Sequence, residues 1–229
     1  ANHVGRLPKA VLLWALVLLP GIALAHNISG SNAQFVSALI GPAILPFMYL
    51  GAKHMITGYD HLLYLVGVIF FLTTTRDILL YVTLFAVGHR LTLLLGVLGG
   101  LTVNVYLVDA IIGFSIVYKA FENMDGFRTL LGVSPNTRVA VFVFGLCHGL
   151  GLSSKLQEIA LSEQGLITNM ISFNVGVELG QMLALALFLV VLMPWRQSSG
   201  FQRQAITANT LLMAGGFVLA GYHLAGYLA

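Results

Sequence analysis

The chain has 229 residues, 58% of them hydrophobic and only 8% charged, with a formal net charge of +3. A soluble domain carries about 25% charged residues, so this chain cannot cover a water-facing surface and lipid must be its solvent. The few, scattered basic residues give a nucleic acid nothing to bind, and the single cysteine, Cys147, rules out an intrachain disulfide and a thiolate-rich metal centre.

At about 20 apolar residues per crossing, this length accommodates six or seven helices and no separate catalytic domain. Residues 1–25 resemble a secretion signal: Arg6 and Lys9 form a basic start, Val11 to Leu19 an apolar stretch, and Ala23-Leu24-Ala25 a small-residue cleavage site. The same stretch, if retained, would be an extra N-terminal helix, and both readings stand. Residues 26–57 read as an outer-side linker. Within it, Phe35 to Lys53 contains Gly41, Pro42, Pro46 and Gly51, poor material for one straight span. Residues 58–229 read as a six-helix transmembrane domain with spans at Tyr59–Leu72, Ile78–Leu98, Val103–Phe121, Val139–Leu152, Leu166–Met193 and Ala205–Leu228. Turn formers and charges break the pattern at 73–77, 99–100, 122–138, 153–164 and 194–204. The expected fold is therefore all-α, a polytopic bundle of about six core helices.

Charge asymmetry orients the bundle. If 35–53 is an interfacial or re-entrant piece on the outer side, Arg6, Lys9, Arg76, Lys119, Arg128, Arg138, Arg196 and Arg203 all face the cytoplasm. Only Lys53 and Lys155 then face outward. This predicts a multi-pass protein of a bacterial-type inner membrane, its extreme N-terminus cytoplasmic before any signal cleavage.

Ionisable groups inside a bilayer cost roughly 2.5–3.5 kcal/mol each by insertion scales and mark function by default. The chain places His54, Asp60 and His61 around the first core span, His89 with Arg90 in the second and Asp109 in the third. Glu122 and Asn123 close the third span, His148 lies in the fourth, and the fifth carries Asn174, Glu178 and Gln181. The last three sit at i, i+4 and i+7 and so share one helix face. His54 and His61 are seven residues apart, and Asp60 is placed to be a ligand or to orient an imidazole. Four imidazoles with carboxylates and no thiolate suit a borderline first-row divalent ion rather than magnesium or calcium. His54, Asp60, His61, His89, His148 and Glu178 are the candidate metal positions, with Glu122, Asn123, Asn174 and Gln181 in support. Arg90 reads as a counter-charge to Asp109 or Glu122 or as a snorkelling group, and His223 as interfacial.

The run Lys53-His54-Met-Ile-Thr-Gly-Tyr-Asp60-His61-Leu-Leu-Tyr-Leu resembles the opening motif of the HupE/UreJ family of membrane nickel and cobalt permeases. Phe85-Ala-Val-Gly-His89, Ser115 to Asn123, Phe144-Gly-Leu-Cys-His148-Gly-Leu-Gly and Phe173-Asn174-Val-Gly-Val-Glu178-Leu-Gly-Gln181 match the same family in the same order. The resemblance implies nickel or cobalt uptake, a cleaved signal and six spans, and carries the six candidate metal positions over as metal-handling residues. Two departures stand out: Tyr64 where many members have Phe or Leu, and Arg90 where a small polar residue follows His89. A cation beside a ligand lowers cation affinity unless an acid neutralises it.

The leading expectation is a permease rather than an enzyme. Its cargo would be Ni2+ or Co2+ (Zn2+ or copper also suit the donors), it needs no prosthetic group, and homo-oligomers or metalloenzyme-maturation partners are compatible with it. The ion would meet His54, Asp60 and His61 near the outer mouth and pass to His89, His148 and Glu178 deeper in. Nothing resembles an ATP-binding P-loop. The rival expectations are an intramembrane zinc hydrolase assisted by Ser115 or Ser153, which needs one compact site, and a non-transporting subunit of a membrane complex.

Overall fold

The structure, a computed structural model, describes residues 34–35, 37–158 and 161–229. The signal-like stretch 1–25 and the choice between its cleavage and retention lie outside these residues. Among the described residues there is no strand. The helices are α1 (Ile44–Thr57), α2 (Tyr59–Ile69), α3 (Thr75–Gly99), α4 (Val105–Asn123), α5 (Gly126–Leu131), α6 (Thr137–Gln157), α7 (Leu166–Arg196) and α8 (Phe201–Leu228). Four of them, α3, α6, α7 and α8, are long and apolar enough to cross a membrane. The 19-residue α4 is of similar reach but carries Asp109, Lys119 and Glu122.

Helix limits follow the caps rather than the hydrophobic pattern. Thr74 Oγ1 accepts from the Asp77 N–H at 3.2 Å, which starts α3 ahead of its apolar run. The Asn136 side chain accepts from the Arg138 and Val139 N–H groups at 3.0 and 3.3 Å and starts α6. The break expected at 194–204 falls at 197–200, because α7 continues through Pro194 to Arg196 before α8 starts at Phe201. Its last turn is fastened from outside: Trp195 Nε1 donates to Gln204 Oε1 at 2.6 Å. The Arg196 guanidinium donates to the carbonyls of Phe70 at 3.1 Å, Leu72 at 2.6 Å and Ile69. These carbonyls lie at and just past the end of α2, where the helical ladder stops, and Ile69 O also accepts from the Leu72 N–H at 3.1 Å.

The segment expected to be an interfacial or re-entrant piece carries a helix of its own, α1, which a break at Gly58 separates from α2. Pro46 falls in the first turn of α1, where its missing N–H costs nothing. From there α1 runs beside the first half of α7. Asn169 accepts from the Ala43 N–H at 2.7 Å and donates to Gly41 O at 3.1 Å. Further along, a Cβ on Gly51 would come within 2.0 Å of Phe173 O, and one on Gly176 within 1.9 Å of Met48 O. After Gly58, α2 continues toward the far end of α7, where Arg196 receives it. The proline and glycine content, read as poor material for one straight span, starts the helix at Pro46 and lets it lie against its neighbour at Gly51.

The helices associate as tight pairs: α1 with α7, α3 with α6, and α4 with α8. Glycine sets each spacing. At Gly149 a Cβ would sit 2.2 Å from His89 O, and at Gly113 one would sit 2.6 Å from Ala220 N. Contacts between pairs are sparse by comparison, and α2 fills the middle, with Tyr64, Leu65 and Ile69 fully buried.

Candidate metal site

The break at Gly58 makes the site. In a continuous helix, seven residues span about 10.5 Å, yet the His54 and His61 rings lie 5.0 Å apart, centroid to centroid. Gly58 has φ −77° and ψ 91°, outside helical geometry, and its N–H still caps His54 O at 2.8 Å. A side chain at Gly58 would press within 3.0 Å of His61 Nδ1.

Two further imidazoles arrive from the α3/α6 pair. The His61 ring lies 5.7 Å from that of His89 and 4.7 Å from that of His148. One donor atom from each of His54, His61 and His89 lies within 4.8 Å of the others, and the same holds for Asp60, His61 and His148. His61 belongs to both groups. His54 Nε2, His61 Nε2 and both nitrogens of His89 are buried without a hydrogen-bond partner. Buried polar atoms are ordinarily satisfied, so imidazole nitrogens left over at one point fit a cation as their common partner.

The surrounding hydrogen bonds assign tautomers. Asp60 Oδ1 lies 3.0 Å from His61 Nδ1, both side chains buried. A carboxylate there draws the proton to Nδ1 and leaves the His61 Nε2 lone pair aimed into the cluster. Ser115 Oγ donates to Ile112 O at 2.6 Å and lies 3.3 Å from His148 Nε2. Its only proton being committed, the serine accepts from His148 Nε2–H, which places the His148 lone pair on Nδ1. Tyr64 and Phe85 wall the cluster, 5.5 and 5.0 Å from the His148 ring, and Phe173 closes it beside His54 at 6.2 Å.

Other expected positions fall elsewhere. Glu178 is outside the cluster: it turns to the bundle surface and pairs with Arg90 at 2.6 Å, the side chains 48% and 36% exposed. Arg90 is thus neutralised by Glu178 rather than by Asp109 or Glu122. The face shared by Asn174, Glu178 and Gln181 splits, because only the first and last are buried. Asn174 donates to Met170 O at 2.9 Å and Gln181 lies 3.5 Å from Val82 O. Glu122 accepts from Lys119 and from Thr137 Oγ1, each at 2.6 Å, and Asn123 bonds Gly67 O and Asn209 at 2.8 and 2.9 Å. These are ties between helices. Asp109 pairs with Lys155 at 2.7 Å, and His223, expected at the interface, is buried 3.7 Å from the same carboxylate. His54 and His61, expected at the mouth, and His89 and His148, expected deeper in, lie together in one cluster.

No curated protein and no solved structure matches the chain. The sequence profile of the HupE / UreJ protein family matches residues 31–229, nearly the whole of it. Nickel and cobalt transport is the usual association of that family. The His54–His61 motif across the break between α1 and α2, the imidazoles that join it from α3 and α6, and this profile lead to one conclusion: the chain is a membrane protein that belongs to the HupE/UreJ family.

Proposed function

We propose that this protein carries a divalent transition-metal cation, Ni2+ or Co2+, inward across the cytoplasmic membrane, binding it at the His54–His61–His89–His148 cluster. The observation that carries the reading is the convergence of buried, unpartnered imidazole nitrogens from α1, α2 and α3. Neutral imidazoles replace the water that the ion loses, and Asp60 supplies the compensating charge beside them. The donors stand on separately packed helix pairs, so movement of one pair against another dismantles the site and releases the ion. Among the described residues six traverses are counted when α1 and α2 are taken as one. Arg76, Arg128, Arg138, Arg196 and Arg203 then belong to one end of the bundle, and the positive-inside rule puts that end in the cytoplasm.

Compactness alone would also suit a zinc hydrolase, but the details favour carriage. Both candidate serines spend their hydroxyl proton on their own helix, Ser115 on Ile112 O and Ser153 on Leu150 O. The donors form two three-membered groups that share His61, one with His54 and His89 and one with Asp60 and His148, and two overlapping groups suit an ion handed from one to the other better than one fixed hydrolytic zinc. Family membership points the same way.

Metal accumulation in cells producing His61→Ala or His148→Ala tests the proposal, with nickel, cobalt and zinc supplied separately. Accumulation should fall to that of cells lacking the protein. Variants that are present in the membrane yet accumulate metal normally would refute it.

A further inference from the structure

Beyond the histidine cluster lies a second group of ionisable side chains that its chemistry leaves unused. Lys155 follows His148 by seven residues on α6, two turns or about 10.5 Å toward the arginine-poor end. Its Nζ donates to Asp109 Oδ1 and Oδ2 at 2.9 and 2.7 Å. His223, from α8, places Nδ1 3.7 Å from Asp109 Oδ2. Asp109 and His223 are only 4% and 5% exposed. Three helices therefore deliver a carboxylate, an imidazole and an ammonium to one point.

The geometry suits an ion better than a simple staple. A separation of 3.7 Å is beyond hydrogen-bond reach. It is close to the spacing of two ligands on one ion, since bonds of about 2.0–2.2 Å at a tetrahedral angle put their donor atoms about 3.4 Å apart. Between Lys155 and His148 on α6 stands Gly151, where an added Cβ would meet Val108 Cγ1 at 3.1 Å, Ile112 Cδ1 at 3.4 Å and Asp109 Oδ1 at 3.6 Å, so α4 packs with its carboxylate close against this turn. Lys155 itself is 20% exposed on a flexible stem, so it has somewhere to go.

We propose that Asp109 and His223 form a second divalent-cation station on the arginine-poor side of the histidine cluster, with Lys155 as a tethered cation that occupies the carboxylate until an ion displaces it. The proposal rests on the transport reading above. A buried carboxylate without a counter-charge is costly. A lysine on a swinging arm keeps it ionised between ions without holding it permanently. The arriving ion replaces one cation with another, and the ammonium retreats to the aqueous end. Two stations in series give the weak, multi-site hold from which an ion can leave.

The test counts nickel ions bound per protein, by equilibrium dialysis of the purified full chain in lipid nanodiscs. The natural chain should hold one ion, at the histidines. Lys155→Gln should double the count, Lys155→Gln/Asp109→Asn should return it to one, and Lys155→Gln/His61→Ala should keep one. Lys155→Arg, which preserves the tethered charge, should stay at one. If Lys155→Gln binds a single ion and its His61→Ala double variant binds none, the second station is refuted while the cluster stands. If His61→Ala alone leaves the count unchanged, the transport reading itself fails. Should Lys155→Gln not fold, His223→Gln in the natural background serves instead. Its KM for nickel uptake should rise with one ion still bound at the histidines, and an unchanged KM overturns the station.

Discussion

Removing the Asp60 carboxylate isolates the contribution of ligand orientation to metal binding. In the natural chain the Asp60–His61 hydrogen bond is 3.0 Å long and each side chain is 4% exposed. In Asp60→Ala the His61 ring loses its restraint, and its proton becomes free to occupy Nε2, the atom that must bind the ion. Loss of such a partner ordinarily costs 10–100-fold in metal affinity, or about 1.4–2.7 kcal/mol. Water cannot readily enter to replace the acceptor, so the upper half of that range is expected, about 2–2.7 kcal/mol or roughly 30–100-fold. Asp60→Asn keeps an amide oxygen that accepts from Nδ1 and loses only the charge, so it should fall between the natural chain and Asp60→Ala. Nickel titration of purified protein, followed calorimetrically, reads both variants. Binding by Asp60→Ala within twofold of the natural chain would refute the orienting role. Equal and far larger losses in both variants would instead make Asp60 a direct ligand.

Glu178→Gln should weaken nickel binding severalfold by leaving Arg90 unneutralised beside His89, and the Arg90→Gln/Glu178→Gln double variant should restore it. A double variant as weak as the single would mean that Glu178 holds the ion directly. Gly176→Ala should destabilise the α1/α7 pair by about 1–3 kcal/mol through overpacking, whereas Gly215→Ala, with nothing within 4 Å of the new Cβ, should be tolerated. Thermal unfolding of the two variants side by side checks the contrast. Ser115→Ala removes the acceptor for His148 Nε2–H and should cost about 1 kcal/mol of binding, seen as a few-fold rise in the nickel dissociation constant; no change would argue against the assigned tautomer.

The membrane class and helical make-up were legible because a chain with 8% charge leaves no other solvent open to it. The imidazoles were legible for the same reason, since each stands out against an apolar background. Their convergence was not. His54 and His61 read as two turns apart because a glycine in a sequence does not say whether it breaks a helix or packs it. Gly58 breaks it, while Gly51 and Gly176 pack it. Glu178 misled for a related reason. Spacing of i, i+4 and i+7 fixes a common face only within the width of that face, and an arginine on α3 draws its edge member outward. Ser115 reads in the sequence as a residue that could assist a hydrolytic zinc, and only its short bond to Ile112 O reveals it as an acceptor. The pairing of Lys155 and His223 with Asp109 had no sequence signal, because the residues come from helices far apart in the chain.

The interruption at Gly58 also sets a lever length. The 14 residues of α1 form a rod about 21 Å long, with His54 near its inner tip. Tilting that rod by about 6° around its outer end would displace the tip by roughly 2 Å. A metal–imidazole bond is about 2.0–2.1 Å long, so this small swing doubles one bond length and leaves His61, His89 and His148 where they were. Because Met48 and Gly176 are in backbone contact, α7 would swing with α1. Letting go of the cargo would then require neither unwinding nor sliding of any helix, only a few degrees of rotation by one arm of the molecule.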